Sequence, residues 1–165
     1  KKTTQKEVQI PAGVDTGMKV RFPGDGDAGL RGGPSGDLYA FIHIKKHNFF
    51  TRKGNDIWCE IHVGFSTAAL GSELEVQSLD GKQVLEISPG TQSGEVYALQ
   101  GKGMPDPRTG TRGNMNVVVV VDTPTKLSDE EKDILRQFAQ VRGEDIREVN
   151  GKSFFERLKS VFNGQ

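Results

Sequence analysis

The feature that most constrains this chain is that it repeats itself. Ile10-Pro11-Ala12-Gly13-Val14-Asp15-Thr16-Gly17 resembles Ile87-Ser88-Pro89-Gly90-Thr91-Gln92-Ser93-Gly94, and Gly13 stands 77 positions before Gly90. At that spacing, without a gap, Gly24 and Gly26 meet Gly101 and Gly103, Gly33 meets Gly110, and Gly36 meets Gly113. Glycine marks backbone that needs a positive φ or a close approach, so six in one register predict two copies of one supersecondary unit.

Each copy reads as a strand, a glycine turn, a second strand, a long glycine loop and a third strand. The expected strands are 7–10, 18–22 and 37–44 in the first copy, and 83–87, 95–100 and 114–122 in the second. Two more strands, 57–63 and 73–78, precede the second copy, and their counterparts in the first would fall before residue 1. The first copy is therefore expected to be truncated. The pattern predicts a mainly β fold: two tandem small sandwich- or barrel-like β domains with short helices. The expected divisions are 1–47 for the first domain, 48–143 for the second, and 144–165 for a linker and terminal helix.

Two helices are expected near the end. Ser128-Asp129-Glu130-Glu131 is a capping box, Ile134, Leu135, Phe138 and Val141 follow at helical spacing, and Gly143 is a stop. These signals predict a helix over 129–142. Phe154, Phe155, Leu158, Val161 and Phe162 then make one apolar face of a short helix, which either folds back on its own domain or packs on a second subunit.

Lys plus Arg and Asp plus Glu both number 22, so no charge excess points to nucleic acid or an anionic membrane. The longest apolar run, Val117 to Val121, is too short to span a bilayer. No apolar segment follows the basic N-terminus, and the lone Cys59 suits a reducing compartment, so a cytoplasmic location is expected.

Catalytic motifs are weak. Gly24-Asp25-Gly26-Asp27-Ala28-Gly29 matches the dinucleotide pattern, but its two carboxylates would repel a pyrophosphate and no periodic helix follows. The second copy has Lys102 and Met104 where the first has Asp25 and Asp27, so neither a phosphate loop nor a calcium loop survives the repeat. Alternation in 57–63 puts Cys59 with Ile57, Ile61 and Val63 on one face and His62 on the other, which suits a buried thiol. His47, ahead of Phe49-Phe50, reads as a turn or packing residue. No catalytic residue and no metal ligand set is expected.

Several of these segments resemble class A DnaJ heat-shock cochaperones. Val8 to Gly17 is similar to the segment after the family's zinc-binding region. Gly36-Asp37-Leu38-Tyr39, His47 and Arg52-Lys53-Gly54-Asn55-Asp56-Ile57 resemble the junction of its two C-terminal β domains. Ala68-Ala69-Leu70-Gly71, Leu79-Asp80-Gly81, Gly101-Lys102-Gly103 and Thr123-Pro124 resemble the second of those domains, and Phe154-Phe155 the tail of bacterial members. The His-Pro-Asp tripeptide of the J domain does not occur, nor do the Cys-x-x-Cys repeats that bind zinc, so no cofactor is expected in these residues.

The resemblance implies binding of unfolded or extended apolar polypeptides, delivery of these clients to a DnaK-type ATPase, and a homodimer held by the terminal helix, with neither nucleic acid nor membrane as partner. The strand pattern offers Val8, Ile10, Ala40 and Ile42 as groove residues in the first copy and Leu85, Ile87, Val117 and Val119 in the second. Alternation alone leaves open whether each faces a groove or the core. The other reading is a non-enzymatic β adaptor that dimerises without binding clients.

Overall fold

Two hairpins of identical register carry the repeat into three dimensions. In the computed structural model, which describes residues 7–146, β1 (Lys19–Phe22) pairs antiparallel with β2 (Leu38–Phe41), placing Lys19 opposite Phe41 and Phe22 opposite Leu38. The second copy's equivalents are β7 (Val96–Leu99) and the start of β8 (Met115–Asp122), where Val96 faces Val118 and Leu99 faces Met115. Each of those positions is 77 beyond its counterpart.

The hydrogen bonds of the loops repeat as well. The amide of Gly26 donates to the Gly36 carbonyl at 2.7 Å, and that of Gly103 to the Gly113 carbonyl at 2.8 Å. Asp37 Oδ1 accepts from the Gly24 amide, and Asn114 Oδ1 from the Gly101 amide. Thr16 and Ser93 hydroxyls accept from the amides of Ile44 and Val121. Gly26 and Gly103 sit where backbone meets backbone: a Cβ would fall 2.6 Å from the Asp37 carbonyl oxygen in one and 2.5 Å from that of Asn55 in the other.

Between the repeated hairpins lie β3 (Thr51–Lys53), β4 (Asp56–Gly64), α1 (Phe65–Leu70), β5 (Ser72–Ser78) and β6 (Gly81–Ile87). One sheet has the order β3-β4-β8-β7, in which β4 and β8 run parallel with Ile57 beside Met115, and β5 and β6 form a separate antiparallel hairpin. Ile57, Cys59, Val63, Val76, Leu85, Ile87, Met115, Val117, Val119 and Ala68 of α1 make a single core between that sheet, the hairpin and the short helix. The fold is mainly β, with sandwich-like packing in the second copy. Completely burying one large apolar side chain stabilises by roughly 1.5–3 kcal/mol, and Ile57, Ile87, Met115, Val117 and Val119 all reach that limit.

Residues 7–10 are not a strand, contrary to the sequence expectation. Their counterparts in the second copy belong to β6, whose ladder is made by β5. Among the described residues nothing plays that part for 7–10, and an extended segment with no partner has no ladder to join. For the same reason β2 spans only Leu38–Phe41, within the expected 37–44.

The described residues fall into two compact bodies, the chain passing from one to the other between Thr123 and Pro124. The later body holds α2 (Asp129–Arg142), which begins and ends as expected. Ser128 Oγ accepts from the Glu131 amide at 3.2 Å, Glu131 accepts from the Ser128 amide at 2.6 Å, and Gly143 closes the helix in the left-handed conformation. Ile134, Leu135, Phe138 and Val141 are exposed along it. Among the described residues no helix is long and apolar enough to cross a membrane.

Candidate functional site

The proposed groove residues of the second copy belong to its core. Leu85, Ile87, Val117 and Val119 are between 0% and 4% exposed. Strand alternation separates two faces of β6 and β8 correctly, but the face carrying these four is the one sealed between the large sheet and the β5–β6 hairpin. No ligand reaches them without opening the core: they are core residues, because the face they share is the packed one.

Their first-copy counterparts lie differently. Val8 and Ile10 are 37% and 58% exposed, and Ala40 and Ile42 are half-buried. In the second copy β4 pairs beside β8 and β5 beside β6; among the described residues no such strands pair in the first. Among the described residues β2 pairs with β1 alone. The proposed dimer contacts Phe154, Phe155, Leu158, Val161 and Phe162 lie outside the described residues.

A concavity that strand reasoning missed lies on the second copy. It is lined by His47, Phe49 and Phe50 from the segment before β3, and by Gln77, Ser78 and Leu79 at the tip of the β5–β6 hairpin. His47 Nδ1 accepts from the amides of both Phe49 and Phe50, each at 3.1 Å, which fixes the turn. The Phe49 and Phe50 rings meet edge to face at 4.8 Å between centroids. Phe50 packs on the core, whereas Phe49 and Leu79 keep much of their surface in water.

The opposite wall is tied by side-chain hydrogen bonds. Ser78 Oγ donates to the Gly81 carbonyl at 2.7 Å and accepts from the Asp80 amide. Arg112 Nη1 reaches both oxygens of Asp80 at 2.9 Å, tying the hairpin tip to the loop before β8. Among the described residues β5 pairs with β6 alone, and its last residues, Gln77 and Ser78, line this concavity. Lys45 and Lys46, both exposed, precede His47. An aromatic step beside an open strand edge can accept an extended chain: backbone bonds along the edge, one apolar side chain in the hollow. The signal for it in the sequence was Phe49-Phe50 next to Leu79-Asp80-Gly81, two segments that only the fold brings together.

The reactive side chains are placed for structure. Burial pushes the Cys59 thiol upward, which disfavours the thiolate. His62 projects from the other side of β4, where its Nδ1 lies 2.9 Å from Asp122, and the hydrogen bond and charge of that carboxylate raise its pKa. No group of three or more His, Cys, Asp or Glu side chains suited to a metal ion occurs among the described residues.

Comparison with known proteins places this architecture. The family described as the DnaJ C terminal domain matches residues 1–124, and the one described as the Chaperone protein DnaJ C-terminal region matches 130–164. The chain belongs to the DnaJ C-terminal domain family. Among its relatives, Chaperone protein DnaJ of Desulfitobacterium hafniense is 50% identical over 163 residues, covering 96% of this chain and 43% of the relative. That of Bacillus velezensis is 47% identical over 158 residues, covering 96% and 42%. That of a Geobacillus species is 45% identical over 165 residues, covering 100% and 43%. The chain thus spans less than half the length of the relatives it matches.

Proposed function

We propose that this chain is the client-holding part of a DnaJ cochaperone. It binds extended, apolar segments of non-native polypeptide and presents them to a DnaK-type ATPase in the cytoplasm, without catalysis of its own and without nucleic acid or membrane. The observation that carries this reading is the apolar Phe49–Leu79 concavity at the end of β5, which among the described residues pairs with β6 alone. In the first copy the candidate contacts for such a segment are Val8, Ile10, Ala40 and Ile42. Phe154, Phe155, Leu158, Val161 and Phe162 would join two such chains in a homodimer. Main-chain contacts carry little side-chain information, so binding is expected to be weak and tolerant of sequence.

The test is fluorescence anisotropy of a labelled, unfolded, apolar-rich polypeptide titrated with the chain. Saturable binding that Phe49→Asp or Leu79→Asp weakens at least tenfold, with the circular dichroism spectrum unchanged, supports the reading. Absence of binding up to about 1 mM, equivalent to about −4 kcal/mol, rejects it. The adaptor reading would then stand, favoured by the burial of the four second-copy strand residues.

A further inference from the structure

The first copy closes one of its turns with sulfur where the second uses oxygen. In the second copy the turn over 92–95 is reciprocal: the Glu95 amide donates to the Gln92 carbonyl at 3.2 Å, and the Gln92 amide donates to Glu95 Oε2 at 3.1 Å. The positions 77 earlier are Asp15 and Met18. There the Met18 amide donates to the Asp15 carbonyl at 3.2 Å, and the Asp15 amide donates to Met18 Sδ at 3.3 Å. The same pair of bonds is made twice, but a thioether sulfur is a weak acceptor and a carboxylate oxygen a strong one.

The sulfur also lies within reach of solvent. Met18 is 39% exposed and lines an open concavity with Asp15, Arg52 and Arg108. Met115 is 0% exposed, and Met104 packs half-buried against the core. The turn begins where the two copies touch. Arg52 of β3 donates from Nη1 to the Val14 carbonyl at 2.7 Å and from Nη2 to the Gly13 carbonyl at 2.8 Å, and a Cβ on Gly13 would fall 1.8 Å from the Pro105 carbonyl oxygen.

We propose that Met18 is an oxidation site, at which a peroxide converts a weak turn acceptor into a strong one, so that the sulfoxide tightens the Asp15–Met18 turn. The sulfur lone pair attacks one oxygen of hydrogen peroxide; an S–O bond forms as the O–O bond breaks, and the departing hydroxide takes the proton of the transferred oxygen and leaves as water. Sulfur is oxidised by two electrons and the peroxide is reduced by two. The new oxygen stands one bond beyond the δ atom, the place that Oε2 holds in Glu95. Oxidation thus gives the first copy the acceptor that the second has in its sequence, without a second carboxylate beside that of Asp15. Sulfoxide in a core disrupts packing because a polar group enters an apolar place. At Met18 the polar group meets an amide donor already aimed at it, and sulfoxide reductases make the change reversible.

Graded treatment of the chain with hydrogen peroxide, followed by peptide mapping in a mass spectrometer, tests the site. Met18 should oxidise at least about tenfold faster than Met104 or Met115, following its exposure; a rate no greater than theirs overturns the site. Hydrogen exchange at the Asp15 amide, read by NMR with the Gln92 amide as internal reference, tests the acceptor. With Met18 converted and the other two methionines intact, the Asp15 amide should exchange at least about threefold more slowly than in the parent, the scale of one improved hydrogen bond. Methionine sulfoxide reductases should restore the parental rate. Met18→Gln, neutral and with Oε1 at the same remove, should match the sulfoxide, and Met18→Leu, which has no acceptor, should exchange faster than the parent. A sulfoxide that exchanges no more slowly than the parent overturns the tightening.

Discussion

Replacing Gly13 and Gly90 by alanine, one at a time, measures what joins the two copies. Their φ angles are +87° and +86°, so the conformational penalty is the same for both, about 1–2 kcal/mol for an L-residue in left-handed backbone. At Gly90 that is the whole cost, because the new methyl group meets open space. At Gly13 the methyl would lie 1.8 Å from a backbone oxygen, and carbon–oxygen contact needs well over 3 Å, so the Pro105 segment and the Gly13 turn must separate. Separation removes the Arg52 bonds to Val14 and Gly13. Hydrogen bonds from a charged donor contribute about 1.5–3 kcal/mol each, which adds roughly 3–6 kcal/mol to the alanine penalty at Gly13. Urea unfolding followed by far-ultraviolet circular dichroism is the assay. With a slope near 2 kcal/mol per molar urea, Gly90→Ala should lower the midpoint by about 0.5–1 M. Gly13→Ala should either lower it by about 2 M or more, or split the curve in two. Equal midpoints for the two variants would refute the reasoning, because the only difference invoked between these sites is the neighbouring copy.

Two further outcomes follow from burial and from charge. Val119→Asp or Ile87→Asp should abolish the cooperative melt of the second copy, since an unpaired carboxylate in that core costs several kcal/mol beyond the lost burial, whereas Phe49→Asp should leave the melt in place; differential scanning calorimetry separates them. His62 should titrate above its ordinary value of 6.5 by NMR, and Asp122→Asn should bring it down. A raised folded-state pKa means that any stability from this exposed pair is present below the ordinary histidine value and lost as pH rises through the raised one.

The repeat made much of the fold legible. The spacing of 77 fixed not only that 18–22 and 95–100 are equivalent but also that their partners lie at the same remove, and both hairpins follow it. The capping box and Gly143 marked both ends of α2, because those signals are local and chemical. The remainder required tertiary information. α1 has six residues between two glycines, too few for a helical period to show, and β3 has three. A period of two divides Leu85 and Ile87 from Val84 and Glu86 without telling which side meets the sheet above. The concavity was hidden for another reason: Phe50 and Leu79 lie almost thirty positions apart and meet only through the β5–β6 turn. Residues 7–10 show the converse, since their sequence has strand character but among the described residues no strand pairs with them.

The parallel pairing of β4 with β8 also sets a timetable for synthesis. Ile57 waits for Met115, and Gly64 for Asp122, 58 positions later in each case. At about 5–20 residues per second, a ribosome takes roughly 3–12 s to supply that interval. The β5–β6 hairpin needs only its own turn and can form within that time, but the apolar face it shares with Ile57 and Cys59 has no β8 to close against. During those seconds the nascent second copy displays the kind of unpaired apolar strand that the finished surface is proposed to hold, so the chain is itself a candidate client during its own birth.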